Sequence, residues 1–310
     1  MDEPDAGGGY AVDDFGIFVE PRTSARGMDG GVACVDNDLC VQQLYLCFAV
    51  DVRHVRPHVG LPVRRSVDGG CCGVGMFQDA KNMKDMKNIE LVPTADQTFE
   101  IRGGDFVRRL AESRRAERSG EVERACEMRF ESFRRIATLL PEDEECVLEW
   151  NDANTRAAVE TLCATAVDHF LADDFETSAA LCELLLEVDP EDHCEATVLS
   201  AQCYAALGEY DSFEAAAADM AEGSAMRAVL TMFVEYRRAG SVSRESLESF
   251  RRRHPHCHAE FVAAGHSADE TYLRDIESAM PSHAARAREL WLRTENLWRR
   301  YPDFIEALRK

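Results

Sequence analysis

Residues 157–190, AAVETLCATAVDHFLADDFETSAALCELLLEVDP, decide how this chain folds. Val159, Leu162, Cys163, Ala166, Val167, Phe170 and Leu171 recur at i, i+3, i+4, i+7, i+8, i+11 and i+12, the spacing of one helix face. Asp152 or Asn154 can cap its start, because a short polar side chain accepts from the first free backbone amides. A second helix is expected over about 176–188, stopped by Asp189-Pro190. Two helices joined by so short a turn pack as an antiparallel hairpin.

Working outward, further helices are expected at about 195–207, 211–221, 225–238 and 243–253, punctuated by Gly208, Gly223 and Gly240. Toward the N-terminus, Phe106, Leu110 and the Arg-rich Glu112–Arg118 form an amphipathic segment that Ser119-Gly120 breaks. Val122 to Leu140 forms another, with Phe130, Phe133, Ile136 and Leu140 at helical spacing, ended by Pro141. Glu142-Asp143-Glu144-Glu145 then reads as a solvated turn and helix-start charge. From Pro281, the residues Ala284, Ala287, Leu290, Trp291, Leu297 and Trp298 followed by Phe304, Ile305 and Leu308 give a long C-terminal helix.

Residues 1–85 differ in kind. They hold 12 of the 19 glycines and 5 of the 12 cysteines, with no sustained 3.6-residue apolar period. They are expected to be irregular or disordered. Met83 and Met86 lie in the run Lys81-Asn82-Met83-Lys84-Asp85-Met86-Lys87, whose residues use A/G-rich codons. That pattern suits a ribosome-binding site and start read through as protein, which would make 1–85 a mis-assigned N-terminal extension. Residues 86–102 are a short lead-in, and 103–310 form the helical domain.

Among the 310 residues, 35 Lys and Arg face 57 Asp and Glu, a net charge of −22. Long-range repulsion then opposes both nucleic acid and an anionic membrane as partners. The chain holds no run of about 18 apolar residues and opens Met1-Asp2-Glu3-Pro4-Asp5, the opposite of a secretory n-region. A cytoplasmic acidic protein with reduced thiols is expected, since seven cysteines sit in helical segments where they read as small apolar residues.

At an offset of 35 residues, Leu171-Ala172-Asp173-Asp174-Phe175 aligns with Ala206-Leu207-Gly208-Glu209-Tyr210. The first copy runs on through Ala180, Cys182, Leu185 and Leu186 to Pro190; a third runs from Met226 through Gly240 to Pro255. This pattern resembles the tetratricopeptide repeat, a helical hairpin of about 34 residues with a Gly-acid-aromatic turn and a closing proline. The sequence departs from it at Asp173, which replaces the turn glycine, at Ser178 and Phe213 in the small-residue position, and at Val242 in place of the turn aromatic. The resemblance spans about 157–255 and implies an all-α stack of hairpins with a C-terminal capping helix and a concave binding face. It implies a non-catalytic scaffold or adaptor holding a protein or peptide segment, with Glu160, Glu195, Gln202, Arg227 and Arg237 turned toward that face.

Candidates for chemistry are few. His254-Pro255-His256-Cys257-His258 is the densest set of metal-ligand types, and it carries the competing expectation of a zinc-binding regulator or enzyme. Its spacing lacks two separated ligand pairs, and Arg251-Arg252-Arg253 before it suit an ordinary helix C-terminus. Cys34, Cys40, Cys47, Cys71 and Cys72 lack CxxC spacing; Asp192-His193-Cys194 and Cys163 with His169 read as structural, with Asp192 capping the following helix. No nucleophile elbow, zincin or phosphate-loop motif occurs, so no catalytic residue and no cofactor is assigned. Trp291 and Trp298 either bury themselves on the last hairpin or anchor a partner. Exposure of their indoles separates the two.

Overall fold

The computed structural model describes residues 89–310 except Asp96, Glu142 and Asp143. The expectations for residues 1–85, including the five N-terminal cysteines and the internal start, lie outside the described residues. The described part falls into two compact units that meet in sequence between Ala196 and Thr197.

The first unit opens with strands, which fill the lead-in expected at 86–102; from 103 onward the chain is helical, as expected, apart from two residues of strand. Glu90–Ala95 (β1) and Thr98–Arg102 (β2) form an antiparallel hairpin, and Val147–Leu148 (β3) pairs parallel to β2. The strands are short and Pro93 lies on the edge strand, where a missing amide costs little, so no two-residue alternation long enough to notice exists.

Helices Phe106–Arg118 (α1), Val122–Ala137 (α2), Ala153–Leu171 (α3) and Phe175–Val188 (α4) complete this unit. The side chain of Asp152 caps α3 by accepting from Thr155 N. Asn154 instead ties β2 to α1: its Nδ2 donates to Ile101 O and Gly103 O, and its Oδ1 accepts from Phe106 N. Helix α3 is not amphipathic in its setting, for Ala157 through Val167 are all buried. One face meets α4, and α1 and α2 cover the other. Its polar residues tolerate this because Thr161 and Thr165 donate to carbonyls one turn back, at 2.7 and 2.8 Å. On α2 the buried face is Ala125, Arg129, Ser132 and Ile136; of the expected apolar stripe Ile136 is buried and Phe133 and Leu140 are half-buried, while Phe130 is 44% exposed.

The second unit contains Ala196–Leu207 (α5), Tyr210–Asp219 (α6), Ala225–Ala239 (α7), Arg244–Arg253 (α8), Pro255–Phe261 (α9), Glu270–Ile276 (α10), His283–Arg300 (α11) and Pro302–Arg309 (α12). The expected long C-terminal helix is two helices. Pro302 disfavours helical geometry at Tyr301, which takes φ −127° and ψ 57°, and α12 folds back onto Phe233 and Trp298. The turn after α3 places Asp173 at φ 63°, and Gly208 takes φ 83° at its counterpart 35 residues on. The aspartate thus adopts the left-handed backbone that glycine adopts without strain. Among the described residues no helix is long and apolar enough to cross a membrane.

Candidate functional site

The residues expected on a concave face are mostly consumed by the fold. Glu160 is 5% exposed and accepts from Arg114 Nη2 at 2.8 Å, because α1 lies over that side of α3. Gln202 is 6% exposed on α5. Arg237 donates to the carbonyls of Ala205 and Ala206 at 3.3 and 3.0 Å and to Tyr301 Oη at 2.9 Å. Its guanidinium also sits 4.9 Å from the Tyr301 ring centroid, fastening the end of α5 to the α11–α12 junction. Arg227 is half-buried and donates to Met220 O at 2.8 Å. Of these five only Glu195 is exposed, just before α5.

Trp291 and Trp298 are core residues, 6% and 1% exposed. Trp298 Nε1 donates to Thr294 Oγ1 at 2.6 Å, and its ring packs edge-on against Phe233 and Phe261. Trp291 lies against Phe261 and stacks on His266 at 3.9 Å. Neither indole offers a docking anchor.

The histidine run is splayed rather than gathered. Pro255 starts a new helix, so successive side chains rotate by about 100° each. His254 is buried beside Phe250, His256 stacks on His283, Cys257 enters the core, and His258 Nε2 lies 3.0 Å from Leu308 O and 3.1 Å from Arg251 Nε. Among the described residues no three His, Cys, Asp or Glu side chains converge so as to hold a metal ion. Cys194 is buried too. Its hydrogen bond with the Cys163 thiol, together with burial, pushes its thiol well above the ordinary range. His193 is held by Asp189 Oδ1 at 2.7 Å and stacks flat on Trp150, and Asp192 caps α5 through Ala196 N.

Two features escaped the sequence reading. Arg129, 2% exposed, grips Asp168 with two 2.7 Å hydrogen bonds and reaches Glu117 at 3.2 Å. Burial opposes the charge on Arg129, and the attraction of Asp168 overcomes it. Burial likewise pushes the neighbouring Cys126 thiol up to about 12. An arginine on the buried arc of α2 was the available signal. The other feature is the outer ridge of α4, where Glu176, Ala180, Glu183 and Glu187 are exposed at i, i+4, i+7 and i+11, continued by Glu191 and Glu195. No Lys or Arg occurs between Arg156 and Arg227, an absence readable from the sequence.

A cleft of about 610 Å³ opens beside α7, α8 and α12, with Arg244, Arg251, Glu248, Asp303 and Glu306 on its walls. No protein-family model matches the chain, and neither does any curated protein or solved structure.

Proposed function

We propose that this chain is a non-catalytic interaction protein of tetratricopeptide-like organisation, a cytoplasmic scaffold that holds a cationic segment of a partner protein. The observation that carries this reading is the acidic ridge of α4. Its exposed carboxylates run about 16 Å from Glu176 to Glu187, at 1.5 Å per helical residue. An extended peptide covers that length in about five residues, with alternate side chains about 6.6 Å apart, close to the Glu183–Glu187 rise of about 6 Å. Crowded like charges cost a fold stability through self-repulsion, and a cationic partner relieves that cost while gaining speed of encounter. The repeat reading is supported by the matching left-handed turns at Asp173 and Gly208.

The test is a photo-crosslinking residue at Ala180 of the full chain in its native lysate. It is compared with E176Q/E183Q/E187Q on the ridge and with D211N/D219N/E222Q, which removes equal charge elsewhere. A protein crosslinked by the parent and the second variant, but lost from the ridge variant and at high salt, supports the reading. No crosslinked protein, or equal loss from both variants, overturns it.

A further inference from the structure

Three carboxylates and two guanidiniums share the interior between α1, α2 and α3. The side chains of Glu117, Glu160 and Asp168 are 5%, 6% and 10% exposed, and those of Arg129 and Arg114 are 2% and 23%. The cluster therefore carries one negative charge in excess. Among the described residues, the neighbouring titratable groups are committed elsewhere. Arg109 of α1 is committed to Ser132 Oγ at 2.9 Å and to the half-exposed Glu131 at 3.2 Å. His169 of α3 is held by Asp174 at 2.9 Å, and the Cys126 thiol of α2 accepts from Arg129 Nη2 at 3.8 Å. An uncompensated charge in so dry a place is costly, and taking a proton from solvent removes it.

The three carboxylates are unequally served. Asp168 receives the bidentate grip of Arg129, and Glu160 has Arg114 at 2.8 Å. Glu117 has one 3.2 Å hydrogen bond from the guanidinium that also grips Asp168, and the weaker, unbonded attraction of Arg114. We infer that this cluster takes up one proton on folding and that Glu117 carries it, so that the seating of the α1–α2 hairpin on α3 is a proton-linked latch. Burial pushes the Glu117 carboxyl up from its ordinary range against the pull of Arg129. Asp168 is pushed up by burial too, against the pull of its two short hydrogen bonds from Arg129.

The sign follows from linkage. A carboxyl that binds its proton more tightly in the folded chain contributes stability that is complete below its unfolded pKa of about 4.3 and is lost as pH rises through the folded value. The latch tightens in mild acid and loosens toward alkaline pH.

The full chain labelled with 13C at glutamate side-chain carboxyls tests this by NMR. One resonance is expected to keep the position of the protonated acid to higher pH than the other glutamate carboxyls, and to be missing in Glu117→Gln. Amide exchange of α1 to α3 adds an energetic readout: the opening constant of the parent rises by up to tenfold per pH unit more than that of Glu117→Gln, the signature of one proton. Should Glu117→Gln fail to fold, Glu160→Gln serves, because it balances the cluster and returns the retained resonance to the ordinary range. Glutamate carboxyls that all ionise below about pH 5, or equal pH dependence in parent and variant, overturn the inference.

Discussion

Replacing Arg129 by alanine tests how the first unit is held together. The side chain is 2% exposed and is the partner of two carboxylates, Asp168 at 2.7 Å twice and Glu117 at 3.2 Å. Its loss leaves both in the interior facing only Arg114, which already serves Glu160. Removing one partner of a buried ion pair costs about 3–5 kcal/mol, so opening of α1 to α3 should become about a hundred- to several thousandfold more frequent. Hydrogen exchange of amides between Phe106 and Leu171 reads this locally, without interference from residues 197–310. The cost should be smaller at pH 5 than at pH 8. With the guanidinium gone, burial raises the stranded carboxyls further, and protonation relieves them as the pH falls. Arg129→Met with Asp168→Leu should recover most of the loss, since apolar side chains of similar volume replace a buried pair at little cost. A change below about 1 kcal/mol for Arg129→Ala, or a cost independent of pH, would refute the account.

Other changes test the remaining structure. Trp298→Ala, at 1% exposure beneath Phe233, Phe261 and Phe304, should destabilise residues 197–310 by about 3–5 kcal/mol, measured by urea unfolding; an effect below about 1 kcal/mol would mean the indole is not core. Asp173→Gly should raise the melting temperature slightly, worth about 0.5 kcal/mol, whereas Asp173→Ala should cost about 1 kcal/mol, because φ is 63° there. Cys126, its thiol pushed up to about 12, should react with iodoacetamide at pH 8 about a thousandfold more slowly than a free thiol of pKa about 8.5; labelling within tenfold of that thiol contradicts the burial.

Much of the helical layout is legible without coordinates. The expected helices at 176–188, 195–207, 211–221, 225–238 and 243–253 differ from those observed by only one or two residues at their ends. Local rules suffice there, because caps such as Asp152 and Ser224 and stops such as Pro190 and Gly240 act on their own backbone. The sheet was missed because β3 is two residues long and pairs with a strand 49 residues earlier. The break at Tyr301 was readable from Pro302, yet the apolar period running through it suggested one continuous helix.

Placement of the candidate site was less accessible, and Glu160 shows why. Its polarity says solvent, and only the fold reveals that Arg114, 46 residues earlier, lies across it. Arg129 inverts the same rule, since its burial depends on Asp168, 39 residues later. The tryptophans were ambiguous until α12 was seen to fold back over Trp298. By itself the sequence determined where the helices between 153 and 253 start and stop, the negative charge, and the stretch from 157 to 226 without Lys or Arg, because each depends on neighbours along the chain or on composition alone. Tertiary structure decided which polar faces meet water. The cost of burying a charge is set by the distance to a counter-charge, and that distance exists only once distant helices pack.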